Sequence, residues 1–164
     1  MIWFTADHHF GHANIIRYTD RPFRDVGEMH RELVRRWNAV VRRTDTVYHL
    51  GDLTLEGWPY AERLIRSLNG TIFFVPGNHD TRWVKQAKKA GYAHWCDQIH
   101  VLKTVRPHVV LCHYPLLSWP GRAHGYLHLH GHSHGTLGTR DGAIDVGVDR
   151  WSFTPVSSPE IGLQ

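Results

Sequence analysis

The chain has 164 residues, of which 41% are hydrophobic, so it can bury a real core and is not disordered. A formal charge of +4 would help attract an anionic substrate but is too mild to mark a nucleic-acid-binding protein. No apolar run reaches the length of a membrane span and the Met1 segment lacks the regions of a signal peptide, so the expectation is one soluble cytoplasmic domain over residues 1–164.

Residues 2–6 read as a short apolar strand ending in Asp7-His8-His9-Phe10-Gly11-His12. In extended backbone, residues two apart face the same way, so Asp7 and His9 can reach one point while His8 faces elsewhere. A carboxylate and an imidazole converging on a strand end make half a metal site. Residues 13–24 read as a loop with one helical turn. Arg17, Arg21 and Arg24 in it read as a solvated face, with a phosphate-facing role for one of them as the functional alternative.

Asp25 and Glu28 have capping-box spacing and open a helix running to about Arg43. Its apolar stripe is Met29, Leu33, Val34, Trp37, Val40 and Val41. A buried strand at 46–50 ends in Gly51-Asp52. Pro59 suits the first position of the next helix, whose core face is Ala61, Leu64, Ile65 and Leu68. A third strand at 71–75 is closed by Pro76-Gly77, which delivers Asn78-His79-Asp80 to its carboxyl end, where open α/β sheets place their chemistry. A helix follows to about Ala90. The β-α-β-α-β order argues for a partly parallel sheet covered by helices.

From Trp95 the texture changes to short strands. Residues 98–104 and 108–112 read as an antiparallel pair, the second ending in His113. Residues 116–125 read as an irregular loop and 126–130 as a strand ending in Gly131-His132-Ser133-His134. His132 and His134 repeat the two-residue logic of Asp7 and His9, whereas His128 and His130 read as buried. A turn at 138–142 precedes a last strand at 143–148, and the tail after Pro155 reads as a loop. Cys96 and Cys112 show no C-x-x-C spacing and read as reduced, buried hydrophobes.

Fifteen histidines, many beside Asp or Gly at strand ends, point to metal. If the strand ends lie side by side, Asp7, His9, Asp52, Asn78, His113, His132 and His134 can all ligate. That set is excessive for one open ion and suits two ions at about 3.5–4 Å with a bridging carboxylate. Nitrogen and oxygen donors without thiolate fit Mn, Fe, Ni or Zn, manganese first. Two divalent ions would outweigh Asp7 and Asp52 and leave a net positive site for a phosphoryl group.

The ordered motifs Asp7-His8-His9, Gly51-Asp52, Gly77-Asn78-His79-Asp80, His113 and Gly131-His132-Ser133-His134 resemble those of the calcineurin-like metallophosphoesterase superfamily. The resemblance implies a four-layer α/β/β/α sandwich with mixed sheets and a dinuclear site at the strand ends. By motif, Asp7, His9 and His134 would hold one metal, Asp52 would bridge, and Asn78, His113 and His132 would hold the other. A hydroxide between the ions would attack phosphorus, with His79 donating to a phosphoryl or leaving oxygen. Asp80 would orient His79 or cap the helix.

Residues 9–17, with Asp145 and Gly147-Val148-Asp149, resemble a subgroup of small bacterial and phage phosphoesterases, which puts His12 near the substrate. His12 and Arg17 are the candidate substrate contacts. Protein Ser/Thr phosphatases of the family continue G-D with x-x-D-R-G. Here the run is Gly51-Asp52-Leu53-Thr54-Leu55-Glu56-Gly57, which speaks against that activity. Small members often cleave phosphodiesters, so the expected activity is a phosphodiesterase acting on a nucleotide or other small phosphoester. The alternatives are a phosphomonoesterase, a nuclease in which arginines of the long helix and near the first cluster meet nucleic acid together with Trp37, Trp58 and Trp119 (against which core aromatics and solvated arginines are the stronger reading), or a non-catalytic interaction scaffold on the same fold.

Overall fold

The computed structural model describes residues 1–92, 94–138 and 140–164. Two four-stranded mixed sheets pack face to face. The first contains β1 (Ile2–Thr5), β2 (Thr46–His49), β3 (Thr71–Phe74) and β8 (Val156–Ser157), in the order β3-β2-β1-β8. β1, β2 and β3 are parallel, with Phe4 beside Tyr48 and Tyr48 beside Phe73, and β8 runs antiparallel to β1. The second sheet has the order β4-β5-β6-β7, formed by His100–Leu102, Val109–Leu111, Leu127–His130 and Ala143–Asp145. β5, β6 and β7 are parallel and β4 is antiparallel to β5.

Helices cover the outer face of the first sheet. A four-residue α1 (Ile15–Tyr18) precedes α2 (Val26–Val40), α3 (Trp58–Ser67) and α4 (Thr81–Lys89). Alternation decides which residues they meet: Val47, Ile72 and Phe74 face Met29, Leu33, Trp37, Leu64 and Trp83. Phe4, Leu50 and Val75 face inward against Leu111, Leu129 and Val146 from the second sheet. The expected layer order is present, but the outer cover of the second sheet is a loop with a 3-10 turn at Arg122–His124. Trp119 from that loop packs on Val110 and Ala143 and donates its indole N–H to the Tyr126 carbonyl.

Three boundaries differ from expectation. α2 is capped by Asp25, which accepts the Glu28 N–H, but it ends at Val40 because the Asp45 carboxylate takes the Arg42 N–H. The last strand stops at Asp145: Gly147 donates to the Asp145 side chain, and a 3-10 turn follows at Val148–Arg150. The tail is not all loop, since Val156–Ser157 adds the edge strand to β1. Of the expected turn at 138–142, Thr139 lies outside the described residues.

Trp37 is fully buried, Trp119 nearly so, and Trp58 is partly buried and stacks on Trp83, so these three pack against the core. Cys112 is buried, Cys96 is half-buried, and both are free. No described helix is long and apolar enough to cross a membrane.

Candidate metal centre

Every predicted ligand follows the carboxyl end of a parallel strand: Asp7 and His9 follow β1, Asp52 follows β2, Asn78 follows β3, His113 follows β5, and His132 and His134 follow β6. Within each sheet the strand ends stay paired, Asp7 N–H donating to Gly51 O and Gly131 N–H to His113 O, both at 3.0 Å, and the two sheets are joined where Val148 N–H donates to Ala6 O at 3.1 Å and His132 N–H to Asp7 Oδ2 at 2.8 Å. Asp7, His9, Asp52, His132 and His134 all have positive φ, between 47° and 67°. Side-chain-bearing residues rarely adopt that region, and it clusters where surrounding structure enforces function.

The ligand atoms gather in two groups. Asp7, His9 and His134 form one and Asp52, His113 and His132 the other, with all donor atoms of a group within 4.8 Å of one another. Asp52 Oδ2 stands 3.6 Å from His9 Nε2 and 3.5 Å from His113 Nε2, so one carboxylate oxygen faces both groups.

Bonds behind the ligands fix which ring nitrogen turns to the site. His113 Nδ1 lies 2.7 Å from the Leu50 carbonyl, which can only accept, so Nδ1 donates there and Nε2 is the atom turned inward. Nε2 stands 2.9 Å from the Asn78 Oδ1. His134 Nδ1 likewise faces the Asp149 carboxylate at 2.7 Å.

The buried Asp7 Oδ1 and His9 Nε2 have no hydrogen-bond partner. Burial, then the neighbouring His134, lowers the His9 pKa to about 2, so its nitrogen stays neutral. Burial, then Asp52 and Asp145, raises the Asp7 carboxyl well above its ordinary range. Crowded carboxylates, neutral imidazoles and orphaned acceptors are what a cation would satisfy, so the residues fit divalent ions.

The other predicted residues divide. His79 is exposed; its N–H is held by Asp52 Oδ1 at 2.9 Å, its ring lies 5.5 Å from that of His9, and no described group bonds its ring nitrogens. His12 lines the cleft, with Nδ1 buried and unpartnered.

Asp80 does not orient the His79 ring, nor does its side chain cap α4. Its carboxylate instead accepts the N–H groups of Asp52, Leu53 and Gly77 and the Trp83 indole, which ties the two strand-end loops together. None of the three early arginines faces the cleft. Arg17 is exposed outside its lining, Arg24 pairs with Glu28, and Arg21 is buried behind the site. Arg21 donates to Asp149 through Nε and Nη2, and to the Asp7 and His8 carbonyls.

Asp145 accepts the Ser133 hydroxyl and the Gly135 N–H, which shapes the His132–His134 turn. The functions of Arg21, Asp145 and Asp149 were not assigned from sequence. The one usable signal was the run Asp145 to Asp149, two carboxylates at a strand end.

The calcineurin-like phosphoesterase family model matches residues 1–152. The chain belongs to that family. An uncharacterized protein of Methanocaldococcus jannaschii is 36% identical, over 95% of this chain and 86% of the relative. The gene 66 protein of Mycobacterium phage L5 is 28% identical, over 91% of this chain and 86% of the relative. A protein of unknown function from Aquifex aeolicus has a solved structure that superposes with a TM-score of 0.74 at 25% identity, covering 98% of this chain and 97% of that one. Membership in the calcineurin-like phosphoesterase family implies metal-dependent phosphoester hydrolysis, and the two His/Asp groups are its candidate metal-binding residues in this chain.

Proposed function

We propose that this phosphoesterase is a dinuclear-metal phosphodiesterase acting on a nucleotide or other small phosphoester. The observation that carries this is the position of Asp52 Oδ2, equidistant within 0.1 Å from His9 Nε2 and His113 Nε2 at the floor of an open cleft. Asp7, His9 and His134 would hold one ion, Asn78, His113 and His132 the other, and Asp52 both. The donor set of imidazole, carboxylate and amide, without thiolate, supports manganese, with iron, nickel and zinc as the ions to compare. When bound, such ions supply an activated water and draw charge from the phosphoryl oxygens.

The remaining chemistry belongs to the chain. His79 stands at the mouth with free ring nitrogens, placed to donate to a phosphoryl oxygen or to protonate the leaving oxygen. Asp80 keeps the Asp52 and Gly77 turns in register, so the bridging carboxylate and His79 move as one unit. No lysine or arginine lines the cleft among the described residues, which favours a singly charged diester over a dianionic monoester. The intact ligand set argues against a non-catalytic scaffold.

The test compares a bis-aryl phosphodiester with an aryl phosphomonoester, using metal-stripped protein reloaded with Mn, Fe, Ni, Zn or Mg. Metal-dependent preference for the diester, with kcat reduced about a hundredfold in His79→Ala at unchanged metal content, is expected. Preference for the monoester, or full turnover by His79→Ala, would overturn the reading.

A further inference from the structure

The cleft above the metal centre has a volume of about 710 Å³, far more than a phosphoryl group fills and of the size that takes a drug-sized ligand. Beyond the metal-binding residues its walls carry no charged side chain among the described residues. Ile15, Tyr18, Pro115 and Leu137 contribute apolar surface. The aliphatic hydroxyls there already donate to the protein, Thr19 to the Ile15 carbonyl, Thr136 to the Ser133 carbonyl, and Ser133 to the Asp145 carboxylate, which leaves the Tyr18 phenol as the hydroxyl open to a ligand. Apart from the metal-binding groups and His79, His12 Nδ1 is the lining atom that is buried without a partner.

Two exposed apolar side chains, Tyr18 and Leu137, stand at the mouth of this cleft. Tyr18 is 71% exposed and Leu137 40% exposed. The Tyr18 and His12 rings form a T-shaped pair, with centroids 6.2 Å apart and planes at 77°, and most of the Tyr18 surface stays open. Tyr114, 45% exposed, packs edge-on against His113 and His132. Solvated apolar side chains continuous with a charged centre mark a place where an apolar ligand group is covered.

We propose that this cleft selects the organic group of its substrate: a planar aromatic group, nucleobase or aryl, carried on a single phosphate. The aromatic plane packs on Tyr18 and Leu137, His12 Nδ1 makes the polar contact, and the phosphate reaches the metal centre. Without a lysine or arginine in the lining, a polyphosphate tail has no partner there. The proposal rests on the phosphoesterase reading above and narrows its substrate class.

Two measurements test it. Calorimetry on the manganese-loaded protein compares adenosine 5′-monophosphate with ribose 5-phosphate, which carry the same phosphate. The base should tighten binding about tenfold, the scale of one aromatic stacking contact. Tyr18→Ala and Leu137→Ala, both at exposed positions that leave the core intact, should each move that ratio toward unity. Equal affinities, no measurable affinity for either, or a ratio unmoved by both variants overturns the proposal.

Kinetics then compare phenyl and methyl p-nitrophenyl phosphate, which share a leaving group. A phenyl preference expressed in KM supports the proposal. Equal kcat/KM overturns it while leaving the phosphodiesterase reading standing. Base-selective binding without cleavage of any ester has the opposite meaning: the aromatic cleft stands and the phosphodiesterase reading falls.

Discussion

The Asp149 carboxylate accepts the Nδ1 proton of His134 at 2.7 Å. Burial alone would raise the Asp149 carboxyl, but hydrogen bonds from His134 and Arg21 outweigh it and hold the group below its ordinary range. An ionised acceptor there fixes the His134 tautomer and leaves Nε2 bare toward Asp7 and His9.

Asp149→Asn removes that electrostatic hold, because an amide can present either a donor or an acceptor to the ring. Outer partners of this kind typically carry about 10–100-fold in metal affinity. Metal titration of the variant should therefore show one of two binding events weakened by that factor, with the other unchanged. Two unaffected events would mean that His134 is held by its own backbone.

Arg21 should matter more for stability than for affinity. Its guanidinium is buried, pairs with Asp149 at 2.8 Å, and also fastens the Asp7 and His8 carbonyls. Arg21→Ala leaves the buried Asp149 carboxylate with only the His134 N–H and frees the Asp7 and His8 carbonyls, which costs about 3–5 kcal/mol. Arg21→Lys cannot reach all these acceptors with one ammonium and should recover only part of the loss. Urea denaturation of metal-free protein measures both. A cost below about 1 kcal/mol for Arg21→Ala would mean water replaces the guanidinium without penalty.

The metal-free protein should also lose stability as pH falls. His8 Nδ1 and His49 Nε2 share a 2.9 Å hydrogen bond under the metal centre, and both rings are fully buried. Burial, then His113, lowers His49 to about 3, and burial, then His49, lowers His8 well below its ordinary value. Each binds a proton when unfolded below pH about 6.5 but not when folded. Stability is therefore complete above that pH and falls toward pH 3, by about 1.4 kcal/mol per pH unit for each histidine. Denaturation midpoints at pH 7 and 5 measure the slope; equal midpoints would mean that the pair protonates in the folded state.

The β-α-β half and the ligand strand ends were legible because apolar runs closed by Gly or Pro are local signals, as at Thr71 to Gly77. Arg21 was not legible: a lone arginine in a loop looks solvated until Asp149, 128 positions away, folds beside it. β8 was hidden because two residues, Val156–Ser157, cannot display alternation. Asp80 looked like a helix cap, since Asp before a helix usually is one, but its acceptors were claimed by N–H groups from a neighbouring strand end.

Glycine at 131 is required by space alone. A Cβ there would stand 2.5 Å from the Ala6 Cβ and 2.6 Å from Asp7 Oδ2, the oxygen that takes the His132 N–H at 2.8 Å. Gly131 is not among the positive-φ glycines, so alanine brings no backbone strain of its own. Gly91 is the opposite case, with φ +83° and nothing within 4 Å of an added Cβ. Gly91→Ala should cost about 1–2 kcal/mol of stability and leave metal affinity intact. Gly131→Ala should cost about 1–3 kcal/mol through overpacking and also weaken metal binding at least tenfold, because Asp7 must shift. Titrating both variants with manganese separates the two effects, and equal affinities would mean that the Asp7 carboxylate can move aside without leaving its ligand position.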